Sequence, residues 1–173
     1  ACENTEHVIG VFSFSKTYNI TGLRVGYIVT GDKALQSSLT KAQELYISCA
    51  PSVSQMAAIA AIAECDEYVR EIRERFNTRR DFAMDFLKGS VQYHPRGAFY
   101  ILVDISSTGL TSDVFADRLL EEKKVAVAPG STFGPSSDRY IRLALTADVE
   151  RIKEGIGRIN EFIGARVSVA SRV

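Results

Sequence analysis

Two short apolar runs, Val8–Phe14 and Leu23–Thr30, bracket a polar octapeptide, Ser15-Lys16-Thr17-Tyr18-Asn19-Ile20-Thr21-Gly22. β-Branched and aromatic residues dominate both runs, which is the composition of strands, and Gly31-Asp32 closes the second. A strand–turn–strand hairpin is predicted, with a lysine at its turn. A lysine just past a buried strand is held at the rim of a sheet, partly desolvated. Desolvation and nearby cations lower an amine's pKa, and only the neutral amine attacks a carbonyl to form a Schiff base. Ser13 and Ser15 flank Lys16 with hydroxyls. Arg24 follows eight positions later (24 − 16 = 8), at the start of the returning strand, where the hairpin folds it back beside the lysine. Its guanidinium can grip a phosphate through two parallel hydrogen bonds. Gly22 lets the turn take a positive backbone angle or lets a ligand come close. An amine for an aldehyde, with an arginine and serines for a phosphate, is what a phosphorylated aldehyde requires. On pattern alone, a solvated lysine in a polar turn explains the same residues.

The rest of the chain alternates helix and strand signals. Residues 32–47 suit a helix, with Leu35, Leu39, Ala42 and Leu45 at helical spacing, and Cys49-Ala50-Pro51 interrupts it. Ser52 to Cys65 is Ala-rich and helical. Asp66 to Lys88 reads as a long amphipathic helix with Val69, Ile72, Phe76, Ala83 and Phe86 on one stripe and Gly89 as its stop. Arg70, Arg73, Arg75, Arg79 and Arg80, set among Glu67, Glu71 and Glu74, read as a solvated, salt-bridged face. Strands are predicted at Ala98–Ile105, Val125–Ala128 and Tyr140–Leu145. Thr111 caps a helix running to about Lys124, and Thr146 a last one, with Asp148 and Glu150 at its positive end. That last helix carries Val149, Ile152, Ile156, Ile159 and Phe162 on one face, and the tail after Gly164 shows no pattern. The class is α/β, helices covering sheets. Within the final strand, Arg142 stands among apolar residues. A buried guanidinium without a partner costs several kcal/mol, so Arg142 needs an anion, either an internal Asp or Glu or a ligand.

Composition removes several functions. Lys plus Arg is 21 and Asp plus Glu is 21, so there is no basic excess to hold nucleic acid or a membrane surface. No apolar run approaches the ~20 residues that span a bilayer. Cys2, Cys49 and Cys65 are odd in number and form no CxxC pair. Free thiols in a reducing compartment, the cytoplasm, are expected, with no zinc site. His7 and His94 are too isolated to build a metal site, and no G-x-S-x-G or P-loop string is present.

The fifteen consecutive residues Ser13-Phe14-Ser15-Lys16-Thr17-Tyr18-Asn19-Ile20-Thr21-Gly22-Leu23-Arg24-Val25-Gly26-Tyr27 closely resemble the lysine signature of the class I and II aminotransferases, enzymes of fold type I. The resemblance implies pyridoxal 5'-phosphate as cofactor, Lys16 as the residue that condenses with it, and Arg24 and Ser13, with Ser15 as a possible helper, as its phosphate ligands. It implies amino acid and 2-oxo acid substrates and a homodimer in the full-length protein. Val127-Ala128-Pro129-Gly130-Ser131-Thr132-Phe133-Gly134 and the strand bearing Arg142 resemble the end of such enzymes, where an arginine binds the substrate α-carboxylate. His94-Pro95-Arg96-Gly97-Ala98-Phe99-Tyr100 resembles the start of the small domain's sheet, which implies Gly97 and Phe99 near the substrate; core packing explains Phe99 as well.

By the same resemblance, residues 1–48 are a remnant of the cofactor-binding large domain, with the Lys16 hairpin and the following helix, and residues 49–173 are the long helix and the carboxy-terminal small domain. The fold expected is α/β: the last strands of the large-domain sheet plus the α+β small domain. The family's aspartate for the pyridine nitrogen, its ring-stacking aromatic and its phosphate-binding turn precede the lysine, and only 15 residues do so here. The chain is therefore expected to be a carboxy-terminal fragment with little activity alone. A carbon–sulfur β-lyase on the same scaffold and a non-catalytic small-domain module are the competing expectations.

Overall fold

In the computed structural model, β1 (Ile9–Ser13) and β2 (Gly26–Thr30) form the antiparallel hairpin, paired from Ile9 with Thr30 to Ser13 with Gly26. The structure describes residues 8–87 and 89–170, so Cys2 and His7 lie outside it. The chain divides into two compact units, Ala1–Arg73 and Glu74–Val173.

In the first unit the hairpin turn is more structured than a simple loop. Phe14 leaves the strand to start a one-turn helix, α1 (Phe14–Thr17), capped by Ser13, whose Oγ accepts from the Ser15 amide at 3.2 Å. A 3-10 turn, Thr21–Leu23, follows and ends at Arg24, which is in the left-handed region at φ 50. The returning strand begins only at Gly26, so Arg24 belongs to the turn and not to the strand. Gly26 is required by space: a Cβ there would sit 2.4 Å from the Phe12 carbonyl oxygen. After β2 come α2 (Lys33–Ile47) and α3 (Ser52–Glu64). Asp32 caps α2 by accepting from the Ala34 and Leu35 amides at 2.8 and 3.0 Å. The core of this unit is small: Phe14 against Ala58 and Ala61 of α3, with Tyr18, Ile20 and Val25 around them. The expectation of a buried strand before the lysine is corrected here. Every residue of β1 apart from Gly10 is exposed, Val11 by 74%, because none of them joins the small core around Phe14, Ala58 and Ala61.

The long helix α4 (Asp66–Phe86) runs through the division, and the second unit continues with β3 (Tyr100–Asp104), α5 (Ser112–Lys123), β4 (Ala128–Pro129), β5 (Tyr140–Ala144) and α6 (Val149–Ala170). The sheet order is β3-β5-β4, all antiparallel, with β5 in the centre. Period-two alternation sends Ile101, Val103, Ile141 and Leu143 to one face. There they meet Phe115 and Leu119 of α5 and Ile152, Ile156, Ile159 and Phe162 of α6, all buried. Ala83 and Leu87 close the core, while Phe86, turned about 100° from Leu87 around the helix axis, stays 45% exposed.

Three sequence readings change in this unit. Arg79 is no member of a solvated ion-pair face, because its Nη1 donates to the carbonyls of Leu145 and Thr146 at 3.2 and 3.4 Å. Asp148, not Thr146, caps the last helix, its Oδ1 accepting from the Arg151 amide at 2.8 Å. The helix also continues past Gly164, where Arg166 packs on the Phe162 ring and pairs with both carboxylate oxygens of Glu122.

Candidate active site residues

Arg142 stands in the middle of β5, opposite Leu102 of β3 and Ala128 of β4. Ile141 and Leu143 point to the core, so alternation turns Arg142 to the other face. Two rings meet its guanidinium: the Tyr100 centroid lies 4.2 Å from Cζ and the Phe133 centroid 4.5 Å. Tyr100 is on β3, and Phe133 ends the 3-10 turn Gly130–Phe133 that follows β4. Among the described residues the Arg142 side chain makes no ion pair and donates no hydrogen bond. The internal salt bridge, one of the two readings open from the sequence, is therefore absent among these residues. The acid nearest in sequence, Asp138, is already engaged, its Oδ1 accepting from the Ser112 amide and hydroxyl at 3.1 and 2.8 Å. Arg142, Tyr100, Phe133, Gly97, Tyr93 and Ser137 line a groove of about 390 Å³. A half-buried cation with unused donors at a groove is able to donate hydrogen bonds to an anion's oxygens.

Of the two residues the resemblance placed near the substrate, Gly97 lines this groove and Phe99 does not. Phe99 falls on the core face of the sheet, stacked on Phe76 with centroids 5.5 Å apart. Tyr100 and Phe133, which sequence reasoning did not single out, take the positions beside the guanidinium. Tyr100 was accessible to it, since it alternates with Leu102 on the strand paired to Arg142. The Phe133 turn has no period to read.

The turn that carries Phe133 is fixed from below. A Cβ at Gly130 would fall 1.9 Å from the Ser137 carbonyl oxygen and 2.4 Å from that of Tyr140, so only glycine fits there. The Ser131 amide donates to the buried Ser112 Oγ at 3.0 Å.

In the first unit the structure brings Ser13, Ser15, Lys16 and Arg24 onto one turn, between strands hydrogen-bonded up to Ser13 and Gly26, with the Phe14 amide donating to the Val25 carbonyl at 3.2 Å. Lys16 is in α1 and exposed; the partly desolvated rim expected for it is not formed by the described residues. Arg24 donates from Nη1 to the Thr21 carbonyl at 3.0 Å, and its Nε and Nη2 donate to no described residue.

A model of the aminotransferase class I and II family matches residues 2–159. The chain belongs to that family. Among relatives of this aminotransferase chain, a (5-formylfuran-3-yl)methyl phosphate transaminase of Methanocaldococcus jannaschii is 38% identical over 164 residues, 93% of this chain and 43% of the relative. An aspartate aminotransferase of Thermotoga maritima is 33% identical over 166 residues, 95% and 42% respectively. The crystal structure of an aromatic aminotransferase from Pyrococcus horikoshii superposes with a TM-score of 0.88 at 32% identity, covering 96% of this chain and 45% of that one. The fold is thus that of fold-type-I aminotransferases. The chain spans about two fifths of the length of the curated relatives it matches, the share expected of a carboxy-terminal portion. Among the described residues no helix is long and apolar enough to cross a membrane, and no cluster of His, Cys, Asp and Glu could hold a metal ion.

Aminotransferases of this family depend on pyridoxal phosphate, and the donor set of the Lys16 turn fits that group. Ser13 Oγ accepts from Ser15 and keeps its own hydrogen to give. Arg24 retains an Nε and an Nη2 for phosphate oxygens. Lys16 supplies a primary amine on the same turn.

Proposed function

We propose that this chain carries the cofactor-anchoring lysine and both anion-binding arginines of a pyridoxal-phosphate-dependent aminotransferase, which moves an amino group from an amino acid to a 2-oxo acid. The observation that carries the reading is Arg142, a guanidinium set in an apolar strand and held by two rings with no carboxylate of its own among the described residues. Such a group binds the α-carboxylate of the substrate in two-point fashion and so fixes the orientation of its α-carbon. Arg24, Ser13 and Ser15 hold the phosphate. The cofactor, when bound, supplies the electron sink that makes the substrate α-proton removable. Lys16 would hold the cofactor through its amine and, once freed by the incoming amino acid, would be the base that takes the proton from the substrate α-carbon. The whole enzyme, on this reading, is a cytoplasmic homodimer.

Borohydride reduction of the chain with pyridoxal phosphate, followed by peptide mapping, tests the assignment. Label concentrated on Lys16 over Lys33, Lys41 and the other lysines is the expected result, and Lys16→Ala removes it. Label spread over lysines in proportion to their exposure contradicts the role given to Lys16. Because the first unit buries little, occupancy is expected to be low and turnover by the 173-residue chain alone slight.

A further inference from the structure

The pairing of Arg142 with aromatic rings in place of an acid has a chemical meaning. A guanidinium neutralised by a protein carboxylate must give up that partner before it accepts a ligand's carboxylate. A ring attracts the cation through its π face and leaves the charge in place. It also leaves the five N–H donors, which lie in the guanidinium plane, unused. Here two rings come within 4.5 Å of Cζ, and among the described residues nothing else bonds the side chain.

Both rings are placed by the backbone that carries them, although Phe133 itself is 50% exposed. Tyr100 is the first residue of β3, paired with Ala144 two residues beyond Arg142 on the adjacent strand, and it shares the groove face with Leu102. Phe133 is fixed through its turn. Thr132 Oγ1 donates to the Pro129 carbonyl at 2.8 Å and the Gly134 amide to the Ser131 carbonyl at 3.1 Å. Ser131 is tied to Ser112, and Gly130 sits against the carbonyls of Ser137 and Tyr140 with no room for a side chain.

We infer that Tyr100 and Phe133 are positioning residues that together clamp Arg142. They hold the guanidinium in place and attract it without neutralising it, so its in-plane donors stay aimed at the groove for an incoming carboxylate. The inference deepens the proposed function, since it rests on Arg142 being a carboxylate receptor.

The test uses the 15N-labelled 173-residue chain. The heteronuclear NOE of the Arg142 Nε–Hε pair, assigned by its loss in Arg142→Lys, reports whether the side chain is fixed on the fast timescale. Arg151, whose side chain is exposed, serves as the mobile reference. Propanoate, a monocarboxylate with no other function, is then titrated and the Arg142 signal followed. The clamp predicts an Arg142 NOE close to that of the sheet backbone. In Tyr100→Leu and in Phe133→Leu it drops toward that of Arg151, and propanoate binds about three- to tenfold more weakly in each. Tyr100→Phe, which keeps the ring, behaves as the parent. An Arg142 as mobile as Arg151 in the parent chain overturns the inference, with no variant needed. So do leucine variants that bind propanoate as tightly as the parent. An NOE that is high in the parent and lost in the variants, in a chain that does not bind propanoate at all, upholds the clamp and sinks the carboxylate reading instead.

Discussion

Replacing Ser112 with alanine should loosen the sheet of the second unit by about 3 kcal/mol, a large effect for the loss of one oxygen atom. Ser112 is fully buried, and its hydroxyl joins two partners: it donates to Asp138 Oδ1 at 2.8 Å and accepts from the Ser131 amide at 3.0 Å. Alanine leaves the backbone bond from Ser112 to Asp138 intact and opens almost no cavity. The lost bond to a carboxylate is worth about 1.5–3 kcal/mol, and the part-buried Ser131 amide left without an acceptor adds about 1 kcal/mol. Native-state hydrogen exchange of the β5 amides measures the result, because these protons exchange only when the sheet opens. A loss of 3 kcal/mol appears as about a hundredfold faster exchange. Asp138→Asn, which keeps an oxygen acceptor but removes its charge, should cost only about 1 kcal/mol. If Ser112→Ala accelerates exchange less than about threefold, the hydroxyl is not the joint between α5, the Phe133 turn and Asp138, and the reasoning fails.

Two more substitutions probe the same unit. Gly130→Ala sets a methyl against two backbone carbonyls that no rotamer can clear, and should destabilise the chain by at least about 3 kcal/mol in a urea titration. Burial pushes the Asp104 carboxyl up, but hydrogen bonds from Ser106 outweigh it, with the Arg139 charge assisting, and the net direction is down. A depressed folded value means a stabilising contribution that is whole above the ordinary aspartate pKa and vanishes as pH falls through the lowered one. Asp104→Asn should therefore flatten the acid limb of a stability–pH curve below about pH 4 and leave the slope near neutrality unchanged.

What the residues revealed on their own follows from how local each interaction is. The hairpin was legible because β-branched runs flank a polar turn, and α6 because Ile152, Ile156, Ile159 and Phe162 keep helical spacing. Phe14 was misplaced in the strand because its role depends on Ala58 and Ala61, which approach only in the folded unit. Arg79 read as a surface charge because nothing near it in sequence names the Leu145 and Thr146 carbonyls as its acceptors. Gly164 suggested a helix end, since glycine costs about 1 kcal/mol there, but Arg166 packing on Phe162 and pairing with Glu122 outweighs it. Among the candidate residues of the two units, the types were readable: an amine, two guanidiniums, serines. The absence of an acid beside Arg142 was not, because a strand pattern says which face a side chain takes and not what waits there.

The strand order of the second unit bears on how the polypeptide is made. β5 lies between β3 and β4 yet comes last of the three in the chain. As the ribosome extrudes the protein amino end first, β3 and β4 emerge with no neighbour to pair with, and the sheet cannot begin to assemble until residues 140–144 are out. Until then Ile101 and Val103 lack the β5 and α6 side chains that complete their burial, a period in which a nascent chain is prone to wrong partners and a chaperone has most to protect.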